Sequence, residues 1–505
     1  MSAPTSPRPP AATPASASRS ADAVVVATGS GPVRGERRAD DSIRFLGVPY
    51  ARPPVGDLRF AAPVPPEPWT EPFDATAYGP TAQRRPFADV TTIPEPSVPG
   101  AGVLNLNVFT PSTEPATPLP VLVWIHGGGY VAGSAASPWY DGAAFNRDGV
   151  VLVSVGYRLG IEGFLHLDGA PDNRGVRDWI AALEWVRDNI ARFGGDPSQV
   201  TIAGQSAGGG AVQTLLAVPA ARTLFRAAIS VSGAVMRPDG PEVARAVSRL
   251  FTSRTGVPAT AAALRDLSDD ELLDLQGRLG ESGPDRAGLP PLLSLAPFAD
   301  GELIPAPVLG ALTSGGAGTD VPLMLGFTAH EFNAFPAPGP EGPPVPVMLG
   351  ALGLDAAGVE RFVAAYADGA GDEGQDRLFG QALTDTTFRA PSLAVADARA
   401  ERERPTWLYE FRWASPVNGM AFHCLDLPFA FDLLDAEGVT AAAGEAPPRA
   451  LADAMHRAWV AFVRDRDPGE QWPRYAVPDR ATMVWDAEAR VESDPLRQVR
   501  EIWQR

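Results

Sequence analysis

Gly204-Gln205-Ser206-Ala207-Gly208 lies between a β-branched apolar run, Val200-Thr201-Ile202-Ala203, and a helix-capable segment, Ala211-Val212-Gln213-Thr214-Leu215-Leu216. A serine between two glycines at a strand-to-helix junction reads as a nucleophile elbow, a sharp turn that lifts the hydroxyl above the end of a sheet. The pattern is weak by itself in a chain with 51 glycines, so its neighbours must carry the argument.

Upstream, Leu106–Phe109, Val121–Ile125 and Val150–Val155 read as strands. The latter two are continuous apolar runs, as expected of strands covered on both faces of a mostly parallel sheet. Between Asn173 and Phe193 the apolar residues Val176, Ile180, Leu183, Val186 and Ile190 recur at spacings of three and four. That spacing predicts an amphipathic helix of about five turns, closed by Gly194-Gly195. Strand, helix and the Val200 strand together make a βαβ unit.

Downstream, Ala227–Ser232, Val321–Phe327 and the alternating Trp407–Arg412 read as further strands, and Leu451–Arg464 as a closing helix. Two polar, Pro/Gly-bounded helical stretches, near 236–297 and 336–391, resemble cap insertions. Val24–Ala27 and Gly31–Val33 suit a small hairpin. In Phe45–Phe60 the prolines forbid a helix and leave an extended, loop-like path at the surface. Residues 1–22, rich in Ala, Pro and Ser, are expected to be a disordered tail, and 23–505 a single catalytic domain with its insertions.

Composition narrows the partners. The hydrophobic fraction of 45% suffices for a globular core. No apolar run reaches the roughly 18 residues of a membrane span, and no stretch of about 7–15 apolar residues opens the chain as a signal peptide would, so a cytoplasmic protein is expected. The net charge of -18 disfavours nucleic acid and anionic membranes as partners. Cys424 is the only cysteine, which rules out an intrachain disulfide and a cysteine-rich metal site.

Candidate chemistry clusters after the strand ends. His126-Gly127-Gly128-Gly129-Tyr130 follows the Val121 strand, and consecutive glycines there leave N–H groups unshielded, as an oxyanion hole requires. Gly128, Gly129 and Ala207 are the candidate donors. A serine needs a base, and histidine has the right pKa range. Of the five histidines, His126 shapes the glycine loop, and His166 and His456 stand without nearby partners. His330 precedes the late strand, which leaves His423. The orienting acid belongs on a loop between Ser206 and His423, where Glu331 fits and Asp300, in an Asp-Gly turn, competes. Tyr130, Phe332, Phe335 and Met420 are candidates for lining the pocket.

From about Val33 to Trp485 the chain resembles the type-B carboxylesterase family, the α/β-hydrolases that include bacterial para-nitrobenzyl esterases and the cholinesterases. The likeness rests on Phe45–Phe60, Leu106-Asn107-Val108, His126–Gly129, Tyr157-Arg158-Leu159-Gly160, Asn189–Pro197, the elbow, Asp300-Gly301, Glu331, His423 and Trp472-Pro473. It implies an α/β-hydrolase fold and a Ser206-Glu331-His423 triad that cleaves carboxylic esters through an acyl-enzyme, with no metal or cofactor. The family usually carries Glu before the nucleophile, where this chain has Gln205. It also carries an early cysteine where Ala101-Gly102-Val103 stand, and often a second serine where Ala211 stands. Gln205 makes the pocket less negative than Glu would, so a neutral small-molecule ester is the expected partner. The competing classes are a non-catalytic adhesion module on the same fold, whose known examples lack part of the triad, and an amidase, carbamate or lactone hydrolase using the same groups.

Overall fold

The computed structural model describes residues 23–86, 91–233, 240–281, 283, 285, 294–335, 344–366 and 374–503. The expected N-terminal tail, residues 1–22, lies outside them, as do parts of both expected insertions.

Among the described residues thirteen strands form one sheet: β1 (Ala23–Ala27), β2 (Pro32–Arg37), β3 (Ile43–Pro49), β4 (Phe73–Asp74), β5 (Asn105–Thr110), β6 (Leu119–Ile125), β7 (Val151–Val155), β8 (Gly195–Gln205), β9 (Ala227–Val231), β10 (Leu323–Thr328), β11 (Thr406–Phe411), β12 (Ala481–Trp485) and β13 (Arg490–Ser493). Their spatial order is β1-β2-β3-β5-β7-β6-β8-β9-β10-β11-β12-β13, with β4 beside β2. From β7 to β12 every neighbouring pair is parallel, and antiparallel strands finish both edges. This is the mostly parallel sheet with flanking helices of the α/β-hydrolase fold.

Side-chain alternation assigns the two faces. Val121, Val123 and Ile125 of β6 join one core, while Leu122 and Trp124 join the other. The helix Arg174–Asn189 covers the first face with Val176, Trp179, Leu183 and Val186. A 3-10 turn, Ile190–Phe193, follows, and the chain reverses at Gly194, whose φ of 83° and closeness to the Ser112 carbonyl exclude a side chain. The helix Arg449–Asp465 covers the second face with Met455, Trp459 and Phe462. Both helices carry an apolar stripe on a polar background, as the spacing predicts.

Two expectations change. Phe45–Phe60 is no surface loop: its first part is β3, and Phe45, Leu46, Val48, Tyr50 and Ala51 are buried. Of its prolines only Pro49 lies in the strand, at its last residue; Pro53 and Pro54 follow it and lead into a one-turn 3-10 helix, Gly56–Leu58. Trp407–Arg412 alternates in sequence, yet every residue of β11 is buried, because β10 and β12 flank it and both sheet faces are covered.

Between β9 and β10 run the helices Pro241–Thr255, Ala261–Leu264 and Asp269–Gly280, the last opened by a Ser268/Glu271 capping box. Between β10 and β11 lie Val345–Ala351, Ala356–Tyr366, Gly374–Thr384, a π-helical turn Asp385–Arg389, and Ala390–Ala400. Buried Arg389 ties that turn to β11, reaching Asp385 at 3.1 Å and Glu410 at 2.6 Å. No helix among the described residues is long and apolar enough to cross a membrane.

Leu183 is 1% exposed beneath the sheet, so Leu183→Ala removes packed atoms that the surroundings only partly replace. Equilibrium urea unfolding of the variant is expected to show a loss of about 2–5 kcal/mol.

Candidate active site

β8 ends at Gln205, and Ser206 begins the turn into the helix Ala207–Ala217 with φ 58° and ψ -122°. A non-glycine residue so placed is strained by about 1–3 kcal/mol and is held there by its surroundings. Here its N–H donates to the Val231 carbonyl at 2.9 Å, and its carbonyl accepts from the Gly210 N–H at 2.9 Å. The flanking glycines serve space, not left-handed backbone. A Cβ on Gly208 would lie 2.0 Å from the Ile125 carbonyl oxygen, and one on Gly204 2.3 Å from that of Gly208. The strand-to-helix turn is therefore packed backbone to backbone against the end of β6.

The loop after β6 leans on the same turn. A Cβ on Gly127 would meet Gln205 Oε1 at 2.9 Å and Ser206 Cβ at 3.0 Å. His126 Nδ1 is bonded to the Gly127 carbonyl at 2.8 Å, its ring stacks on Tyr157 at 4.5 Å, and Tyr157 donates its hydroxyl to the His126 carbonyl at 2.9 Å. Burial lowers the His126 pKa to about 4, so it is a neutral brace for the loop. Gly128 and Gly129 then take φ values of 108° and 59°. Among the described residues neither donates its N–H to another group of the protein. Ala207 opens its helix, so no carbonyl of that helix reaches its N–H.

Glu331 and His423 come from the loops after β10 and β11, which are sewn together. His330 N–H donates to the Ala421 carbonyl at 3.0 Å, Ala421 N–H to His330 Nδ1 at 3.1 Å, and His423 N–H to the Glu331 carbonyl at 3.3 Å. The buried Glu331 carboxylate accepts from Thr328 N–H at 2.8 Å through one oxygen and meets His423 Nδ1 at 2.5 Å through the other. Phe332 and Phe388 stand against the imidazole, each 5.1 Å between ring centroids. Burial opposes charge on His423, but Cys424 and Glu331 outweigh it and hold its pKa well above the ordinary imidazole value. Burial also pushes the Cys424 thiol up, so it stays protonated near neutrality and the charge that matters is that of Glu331.

The remaining ring nitrogen, His423 Nε2, is met by the side-chain amide nitrogen of Gln205 at 3.0 Å. The Ser206 hydroxyl has no hydrogen-bond partner among the described residues. Glu331 and His423 are thus in direct contact, Ser206 is brought beside them through its neighbour, and the serine-histidine bond is not formed in this state.

The other candidates resolve into structural parts. His166 and His456 do have partners: His166 Nδ1 pairs with Asp172 at 2.8 Å, and His456 bridges the Ala430 carbonyl at 2.8 Å and Asp148 at 3.1 Å. Asp172 lies six residues on in the same loop, whereas the partners of His456 lie 26 and 308 residues away. Asp300 accepts from the N–H groups of Glu302 and Ile304, both at 2.9 Å, and from Asn173 at 2.8 Å, which makes it a turn residue. Tyr130 is buried against Phe164 and Trp179 and is a core residue, not a pocket wall. Phe332 and Phe335 do stack together, 4.7 Å apart, beside His423.

Sequence inspection missed Phe388, which arrives from the second insertion, and Asp426. Asp426 is fully buried, and burial, then Glu331, raises its pKa to about 7; Tyr409 donates its hydroxyl to it at 2.8 Å. Its place three residues after His423 was visible, but its burial was not. Among the described residues no group of three or more His, Cys, Asp or Glu side chains is arranged to hold a metal ion.

Comparison with known proteins places this geometry. The carboxylesterase family pattern matches residues 22–343 and 354–503. The para-nitrobenzyl esterase of Bacillus subtilis is 35% identical over 493 residues, covering 94% of this chain and 98% of that protein. The phenmedipham hydrolase of Pseudarthrobacter oxydans is 34% identical, covering 90% and 93%. A solved PNB esterase superposes with a TM-score of 0.83 at 34% identity, covering 95% of this chain and 99% of the other.

The electrostatics can be checked directly. In an NMR titration His423 is expected to protonate above about 6.5, the ordinary histidine value. Glu331→Gln removes the charge that stabilises the imidazolium and is expected to lower that midpoint; an unmoved midpoint would show that Glu331 is not its source.

Proposed function

Because the chain belongs to the carboxylesterase family and hydrolyses carboxylic esters, we propose that Ser206 is the nucleophile, His423 its general base and Glu331 the orienting acid. Gly128, Gly129 and Ala207 supply the oxyanion donors. The observation that carries this assignment is the imidazole of His423, held by Glu331 on one nitrogen and turned toward the Ser206 elbow with the other.

In the acylation half, Ser206 Oγ attacks the ester carbonyl as His423 Nε2 takes its proton. Negative charge grows on the carbonyl oxygen, where the three N–H groups donate to it. His423 then protonates the departing alkoxide, leaving an acyl-enzyme. Water enters, gives a proton to the same nitrogen and attacks the acyl carbon; the imidazolium returns its proton to Ser206 as the acid leaves. Glu331 keeps the proton on Nδ1 and offsets the imidazolium charge, so each transfer uses the nitrogen that faces the serine. The high pKa of His423 has a cost: activity falls as pH drops through that value, because the base must be neutral to begin.

The substrate is a small-molecule ester. Its leaving group departs on the His423 side, where Phe332 and Phe388 offer apolar surface. No carboxylate precedes Ser206, so a neutral alcohol suits this side better than a cationic one. Residues 23–505 act as one catalytic domain in this account, with the helical insertions as cap-like walls. Phe388, which reaches His423 from the second of them, supports that arrangement.

Ser206→Ala is expected to lower turnover of a simple ester by about 10⁶, by analogy with nucleophile deletions in other serine hydrolases, and to abolish labelling by a fluorophosphonate. Retained activity would remove Ser206 from the mechanism. For the leaving group, wild type and Gln205→Glu are compared on a neutral and a cationic ester of one acid. The ratio is expected to move toward the cationic ester in the variant, and an unchanged ratio would count against the charge argument.

A further inference from the structure

The bond between Glu331 and His423 Nδ1 fixes the tautomer, so the neutral ring carries its proton on Nδ1 and a lone pair on Nε2. That lone pair is the one acylation needs. In this structure it accepts from the Gln205 amide at 3.0 Å, while the Ser206 hydroxyl is unpartnered among the described residues. Gln205 is 1% exposed, so water does not compete for its amide.

We propose that Gln205 is a positioning residue that holds the neutral base of the free enzyme by donating to His423 Nε2, and that it yields this nitrogen to Ser206 when an ester binds. The inference rests on the Ser206-His423-Glu331 assignment above. A neutral hydrogen bond of this kind is worth a factor of about 2–10 in population, too little to block the reaction but enough to bias the base. The bias has a direction. A donor to the lone pair stabilises the neutral ring and has nothing to offer the imidazolium until the amide turns over, so Gln205 opposes the protonation that Glu331 promotes. A Glu at this position could only accept from Nε2–H and would add a second negative charge beside the ring, driving protonation in the same sense as Glu331. The replacement of Glu by Gln thus makes the residue before the nucleophile a support for the reactive form of the base.

The packing is built for this contact. The Gln205 side chain is confined between the ring and the glycine loop, where only the missing Cβ of Gly127 leaves room for Oε1. The groups that face His423 are Glu331 on the loop after β10 and Cys424 on its own loop. Asp426 lies beyond, bonded to Tyr409, and from β8 comes only the uncharged Gln205. Asp426, whose pKa is pushed to about 7, and His330, which burial lowers from the ordinary histidine value, are further titratable groups beside the site.

The test measures two quantities as a function of pH in wild type, Gln205→Met and Gln205→Glu: the rate of fluorophosphonate labelling, and the NMR titration of His423 itself, which separates it from Asp426. Gln205→Met keeps the length and loses the donor; its His423 midpoint and the acid limb of labelling are expected to move up by about 0.3–1 pH unit, the equivalent of that factor of 2–10. On the alkaline plateau its labelling is expected to be 2–10 times faster, because Ser206 no longer competes for Nε2. Gln205→Glu is expected to shift the midpoint further up. Midpoints that stay put in both variants, or fall in Gln205→Met, would overturn the proposal. Should wild-type Ser206 fail to be labelled at all, the triad assignment itself falls; labelling with an acid limb that ignores Gln205 overturns only the role of the amide.

Discussion

Everything at the candidate site depends on a common strand direction. β6, β8, β10 and β11 all run parallel within one sheet, so the loops that follow them emerge at the same edge. Gln205 and His423, 218 positions apart, meet there because β8 ends at Gln205 and the loop that follows β11 comes back to the same edge. Open parallel sheets place their ligands at this edge for the same reason. Burial on both faces makes the arrangement rigid: two separate apolar cores clamp the strands, and the loops at their ends gather the polar groups of the site.

Rigidity is what lets the site hold groups that would otherwise relax. Ser206 keeps a backbone conformation that costs energy because its N–H and carbonyl are both engaged and the adjoining glycines press against β6. The Glu331 carboxylate stays buried because it is satisfied twice, by a backbone N–H and by the imidazole. The same burial that penalises a charged His423 strengthens its attraction to Glu331, and the attraction wins. The outcome is an imidazole with a high proton affinity, met on its other nitrogen by the uncharged Gln205.

The helical insertion between β10 and β11 is more than a cover. Its π-helical turn places Phe388 on the ring of His423 and, one residue later, sends Arg389 into an ion pair with Glu410 of β11. A single turn therefore ties the residue packed on His423 to the strand that leads to it. Buried pairs of this kind contribute little net stability, and breaking one by removing a partner leaves a buried charge uncompensated.

Much of this was legible in the residues. Continuous apolar runs marked β6 and β7, the three-and-four spacing marked the helix Arg174–Asn189, and the glycines around Ser206 and after His126 marked the turns, because each of these signals is local. The order of serine, acid and histidine singled out Glu331 and His423 from many carboxylates and five histidines, and the fold brings these two side chains into contact. Tertiary packing alone decided the rest. It made Ile43–Pro49 an interior strand, drew Tyr130 into the core, and gave His456 a carboxylate partner 308 residues away. It also turned Gln205 onto His423, since which side chain faces which across a sheet edge depends on strand order and register, and neither is written in any one segment.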